Sequence, residues 1–199
     1  MKSVTGTGAI AERLAERGML EIGDENARGV LTVFTNYSCR YCQEFDRQML
    51  GNLQDEFVRN GSLKIRMIIV PLFKYPNSAL EAAALICGTV LGKGQDMNDA
   101  LFSTALRTRP ALLKIAAKLK LSAKSFTSCL DSKETKRLLA QQLELIHARN
   151  VTLIPTFTLA RSNQDLSATG SGALGIEQQT GLPSLPDMRG WILEKAGNL

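Results

Sequence analysis

Two of the chain's four cysteines, Cys39 and Cys42, stand three positions apart in the run "NYSCRYCQEF". A Cys-x-x-Cys pair can serve as a structural staple, as half of a metal site or as a redox centre. As a staple it is weak, because a disulfide across so few residues closes a tiny loop and removes little unfolded-state entropy. Structural zinc takes four Cys or His ligands, yet no second Cys-x-x-Cys exists and His147 is the single histidine. Cys87 and Cys129 have no ligand-like spacing to supply the rest. Cu(I) is less demanding, since two thiolates can hold it, and that reading stays open. Redox work fits best, and the surrounding residues say why.

The apolar, β-branched run "VLTVF" at 30–34 reads as a buried strand. A helix opens at about Cys39, with Cys42, Phe45, Met49, Leu53 and Phe57 at spacings of three and four, and stops near Asn60-Gly61. Cys39 therefore sits where unpaired backbone N–H groups carry partial positive charge, which favours its thiolate. Arg40 and Tyr41, between the two cysteines, are expected to tune that pKa, Arg40 by its full positive charge. Cys42 shares the apolar face of Phe45 and Met49, so it should be the more buried sulfur. An exposed thiolate beside a shielded thiol suits disulfide exchange.

Strand, helix and a second strand, "SLKIRMIIVPL", make a parallel unit. Residues 76–149 read as helices only, one of them carrying Leu80, Ala84, Cys87 and Leu91 on one face, with others at 97–107, 110–120, 123–130 and from "KETKRLLAQQLELIHAR". The sheet resumes at 155–160 with "PTFTLA", "ALGIEQQ" is its expected partner strand, and a helix bearing Met188, Trp191 and Ile192 on its inner face closes the chain. Residues 8–20 read as an amphipathic helix through Ile10, Leu14, Met19 and Leu20. The expected organisation is an N-terminal helix and linker at 1–22, a core at 23–75 and 150–199, and a helical insertion at 76–149.

The 199 residues, 44% hydrophobic and 22% charged, can bury a core without help from disulfides. The net charge of +5 is spread without a basic run, so no nucleic-acid partner is expected. No apolar stretch spans a membrane, and the N-terminus lacks an apolar signal core. The chain is then either cytosolic or a mature form.

"VLTVFTNYSCRYCQEF" together with "LIPTFTL" downstream resembles the thioredoxin superfamily, and the intervening helices resemble its DsbA-like thiol:disulfide interchange branch. The resemblance spans about residues 22–160 and the C-terminal helix. It implies an α/β thioredoxin fold with a helical insertion between the second and third core strands. It implies a cis Pro155 against the redox pair, with Ile154 offering its backbone to substrate. Expected partners are protein substrates with thiols or disulfides and a membrane redox partner, in a periplasmic or otherwise extracytoplasmic compartment, with no cofactor. The oligomeric state is not decided.

Two positions depart from that family. The acids often found six and three residues before the first cysteine are here Val33 and Asn36, so resolution would rely on water or on Glu44. The inter-cysteine pair lacks the expected proline. Cys87 and Cys129 have two readings, lone buried thiols or a structural disulfide of the kind some relatives have, worth roughly 4 kcal/mol on the chain-entropy model. His147 reads as a surface or packing residue. The functional expectation is a thiol:disulfide oxidoreductase working as an oxidant. A reductase or isomerase and a Cu(I)-handling protein are the alternatives.

Overall fold

The computed structural model describes residues 9–164, 166–168 and 175–196. The run "VLTVF" lies within a seven-residue strand, β3 (Gly29–Thr35), buried along its whole length. It pairs in parallel with β4 (Leu63–Ile69) and antiparallel with β5 (Thr156–Arg161). With β1 (Glu12–Leu14), β2 (Leu20–Ile22) and β6 (Glu177–Thr180) they form a six-stranded sheet in the order β1-β2-β4-β3-β5-β6. Ala173 and Leu174, the expected start of the last strand, lie outside the described residues.

The period-two alternation of β3 sends Leu31 and Val33 to one face and Phe34 to the other. The first face packs Phe45, Met49, Leu53 and Phe57 against the sheet, the positions that the helical spacing picks out. These lie on one continuous helical run, α1 (Arg40–Phe45) and α2 (Gly51–Leu53), joined and extended by π turns at Asp46–Leu50 and Gln54–Val58. Gly61, at φ +75°, takes the left-handed conformation that ends it. The opposite face of the sheet is covered through Leu145 and Ile146.

Five helices stand between β4 and β5: α3 (Ser78–Val90), α4 (Gly94–Phe102), α5 (Arg109–Lys118), α6 (Ala123–Asp131) and α7 (Lys133–Ala148). Helix α4 ends at Phe102 and not at 107, because the chain beyond it becomes a loop whose Thr104 carbonyl accepts from Arg107. Helix α8 (Leu185–Ala196) closes the chain, with Met188 and Ile192 fully buried.

The amphipathic helix expected over 8–20 is instead a strand, a turn and a strand. Arg17 and Gly18 have φ of 58° and 73° and reverse the chain, and β1 pairs with β2 from Glu12↔Ile22 to Leu14↔Leu20. Strand β2 pairs with β4, supplying partners to backbone groups that a helix would leave unpaired. The pairing sets Glu21 opposite Arg66. The buried Glu21 carboxylate then meets Arg66 at 2.7 Å, Arg13 at 2.7 Å and Lys64 at 3.4 Å. Burial alone would raise its pKa, but the hydrogen bonds from Arg66 and Arg13 outweigh that and hold it low. The alternating Lys64 and Arg66 are thus enclosed as ion-pair partners of the N-terminal hairpin.

Candidate functional site

Cys39 is the N-cap of α1, with extended backbone (φ −86°, ψ 120°), directly after the loop that leaves β3. Its sulfur lies among the first free N–H groups of the helix. Cys42 is one turn on, on the sheet-facing side, and is fully buried, whereas Cys39 keeps 7% of its surface exposed. Both are free thiols in this structure.

Geometry separates their acidities. The Cys39 pKa falls to about 6, first because the Cys42 thiol donates to its sulfur. Burial opposes this, while the backbone N–H groups of Cys42 and Tyr41 and the charge of Lys74 reinforce it. The Cys42 thiol is pushed far up, because the same hydrogen bond needs its proton and because it is buried. The Thr35 hydroxyl and the Asn36 backbone favour its thiolate but do not prevail. The Thr35 hydroxyl is buried and has no hydrogen-bond partner within bonding distance among the described residues.

Of the pair between the cysteines, Tyr41 acts on the thiolate through its backbone, and its side chain is 57% exposed. Arg40 is exposed, and the cation that lowers the Cys39 pKa is Lys74, on the β4–α3 loop. Sequence reading missed Lys74 because nothing local ties that loop to the helix start. The groups that favour the Cys42 thiolate are the Thr35 hydroxyl and the Asn36 backbone, where Glu44 was the expected one. Val33 lies in the core. Asn36 is fully buried and structural: its amide donates to the Val70 carbonyl at 2.9 Å and its oxygen accepts from the Ser38 N–H at 2.9 Å.

The Ile154–Pro155 peptide is cis, and the Ile154 carbonyl accepts from the Cys39 sulfur at 3.7 Å. The loop before β5 and the start of α1 therefore meet at the Cys39 sulfur. A cleft of about 600 Å³ opens beside Ser38, lined by Gln43, Asp46, Phe102 and Arg107. Asp46, one turn beyond Cys42, has a pKa raised to about 7 by burial and by the charge of Asp99, against a hydrogen bond from Asn98.

Cys87 and Cys129 are joined by a disulfide with Cα atoms 5.7 Å apart, linking α3 to α6. The Thr135 hydroxyl lies 3.8 Å from the Cys87 sulfur and 3.5 Å from that of Cys129. Cys87 is fully buried, but Cys129, expected in the core, is half-buried and borders a surface cleft. His147 is exposed on α7. No group of three or more His, Cys, Asp or Glu able to hold a metal occurs among the described residues, and no helix among them is long and apolar enough to cross a membrane.

A family model described as thioredoxin matches residues 15–169, most of the chain and every residue of this site. The chain belongs to the thioredoxin family. Solved structures refine the form of the fold. Wolbachia pipientis alpha-DsbA1 superposes with a TM-score of 0.73 at 18% identity, over 89% of this chain and 90% of that one. BdbD from Bacillus subtilis, oxidised, gives 0.72 at 16%, over 96% and 100%. The catalytic domain of Proteus mirabilis ScsC gives 0.65 at 18%, over 92% and 91%. The chain thus has the DsbA-like thioredoxin fold, with the helical block between β4 and β5. No curated protein sequence matches it.

Proposed function

We propose that the protein is a thiol:disulfide oxidoreductase that transfers the Cys39–Cys42 disulfide to protein substrates. The observation that carries this reading is the split between the two thiols, Cys39 at the helix start with a pKa near 6 and 7% of its surface exposed, Cys42 fully enclosed and far higher. In the oxidising direction a substrate thiolate attacks the Cys39 sulfur, and the Cys39–Cys42 bond breaks. Cys42 leaves, with the Thr35 hydroxyl and the Asn36 backbone beside it, and takes a proton. The substrate's second thiolate then attacks its first cysteine sulfur, the one joined to Cys39 in the mixed disulfide, and that bond breaks. Cys39 departs as the stabilised thiolate, so the substrate loses two electrons and the pair gains them. A low pKa makes Cys39 the better leaving group in that last step. In the reverse direction Cys39 attacks and Cys42 resolves.

Ile154 and Pro155 border the same sulfur, so substrate backbone is held there. Tyr41, Phe73 and Leu153 are large apolar side chains left exposed near Cys39, Lys74 and Ile154 in sequence. Exposed apolar side chains of this kind suit an unfolded, reduced polypeptide. The protein acts in an extracytoplasmic compartment, where disulfides persist, and a membrane-bound oxidant restores its disulfide.

The test is oxidative refolding of a reduced, unfolded disulfide protein. Sub-stoichiometric oxidised protein with a regenerating oxidant should speed recovery of activity, and Cys39→Ser should abolish the effect while its melting transition persists. Equal rates with the parent and Cys39→Ser would refute the assignment.

A further inference from the structure

Three consecutive side chains anchor the loop between β3 and Cys39 to three different elements. Asn36 holds the end of β4 through Val70. The buried Tyr37 hydroxyl donates to Asn98 of α4 at 3.1 Å, and its ring meets Phe102 edge-on at 4.6 Å. Ser38 accepts a 2.6 Å hydrogen bond from Nη2 of Arg107. Arg107 is itself 93% enclosed, being 7% exposed, and its Nε donates to the buried Glu81 of α3 at 2.7 Å. Its Nη1 serves the carbonyls of Leu101 and Thr104, where α4 ends. One guanidinium thus ties the insertion to the residue immediately before the reactive cysteine.

We propose that Arg107 is a positioning residue of the redox site, acting through Ser38 to aim the Cys39 sulfur at its hydrogen-bond donors. A purely structural role for the Arg107–Glu81 pair explains less. A buried ion pair is often replaceable by apolar packing without loss, whereas the fork of Arg107 is used on both sides at once, towards Glu81 and towards Ser38. Only a planar, multi-donor group can span those acceptors, which lysine cannot imitate. The Cys39 thiolate is held by the Cys42 thiol and the N–H groups of Tyr41 and Cys42, and such bonds weaken steeply with misalignment. Ser38 is the last residue able to fix the sulfur's approach, and its N–H and hydroxyl are both occupied in doing so. The helical insertion would then be part of what sets the redox chemistry, beyond covering the sheet.

This inference rests on the redox reading of Cys39, but its test needs no substrate. Thiolate absorbance of the reduced protein would be followed against pH for the parent, Ser38→Ala, Arg107→Lys and the double variant, with melting recorded in parallel. Ser38→Ala leaves the Arg107–Glu81 pair intact, so it carries the test even where Arg107→Lys fails to fold. Each single variant should show a thiolate-to-thiol ratio about threefold lower at a given pH, equivalent to about half a pKa unit. The double variant should go no further than Ser38→Ala alone, as expected of two groups acting through one contact. A Ser38→Ala curve identical to the parent's would overturn the proposal, whatever the melting temperatures. So would a full Arg107→Lys effect in the Ser38→Ala background, since Arg107 would then act as a distant charge. A parent with the low Cys39 pKa that oxidises no substrate would instead count against the proposed function alone.

Discussion

The Cys39 sulfur and the Ile154 carbonyl oxygen, 115 residues apart in the chain, lie 3.7 Å from each other. One belongs to the loop leaving β3 and the other to the loop entering β5, and the antiparallel pairing of those strands from Phe34↔Thr156 onward brings the two loops together. On the proposed function, a substrate cysteine that reaches Cys39 also meets the Ile154–Pro155 backbone.

That enclosure makes the order of sulfur attack testable. Cys42→Ser should accumulate mixed disulfides with disulfide-bearing protein substrates, whose disulfide the Cys39 thiolate opens, because the buried thiol that resolves them is gone. Cys39→Ser should trap none. Non-reducing electrophoresis and mass analysis of the captured species distinguish the two. Trapping through position 42 in Cys39→Ser would reverse the assigned roles.

Lys74 is the cation that favours the Cys39 thiolate. Lys74→Glu should raise the Cys39 pKa, with a smaller rise for Arg40→Glu. The difference should shrink at about 1 M salt, where screening acts within roughly 3 Å. Thiolate absorbance against pH reads both. A larger effect at Arg40 would restore the simple expectation that the cation nearest in sequence dominates.

Asp46 provides a stability test with a definite sign. Its folded pKa, about 7, stands above the ordinary 3.8, so the folded protein binds this proton more tightly than the unfolded chain. Stability from this group is complete below about pH 4 and is lost as pH rises through 7. Asp46→Asn should leave melting nearly unchanged at pH 4 and stabilise the protein by roughly 1–3 kcal/mol at pH 8. Melting at the two pH values checks it, and an equal effect at both would show that Asp46 does not titrate there.

Removing the second bridge by the double change Cys87→Ala and Cys129→Ala should cost up to about 4 kcal/mol, the entropy of closing the loop that the bridge spans. Denaturant unfolding of the oxidised parent and variant measures it. A loss near zero would mean that the unfolded chain is already constrained.

Much of this was legible in the sequence because it is local. The spacing of Cys42, Phe45, Met49, Leu53 and Phe57 marks both the helix and its buried face, and the strand before Cys39 marks where the helix begins. The N-terminal hairpin was hidden because Ile10 and Leu14 have helical spacing. Its strands are dictated from outside, by the open edge of β4 and by the match of Glu21 to Arg66. Lys74 and Arg107 were hidden for the same reason. They lie 35 and 68 positions beyond Cys39 in the chain, and only the folded insertion and the β4–α3 loop bring them to it. The Cys87–Cys129 bridge was one of two readings left open, since whether the two thiols meet depends on how α3 packs on α6, and the structure has the bridge.

Equilibration with glutathione measures how strongly the Cys39–Cys42 disulfide oxidises. A Cys39 thiolate stabilised to a pKa of about 6 favours the dithiol form and so makes the disulfide a better oxidant. The predicted potential is near −200 mV, well above the roughly −270 mV of thioredoxin and high enough to donate disulfides to structural pairs below about −300 mV. Its pH dependence should fall from about 60 mV to about 30 mV per pH unit on crossing pH 6, as Cys39 ceases to take up a proton on reduction while Cys42 still does. A potential at or below that of thioredoxin, with no break in slope near pH 6, would contradict an oxidant built on a Cys39 thiolate.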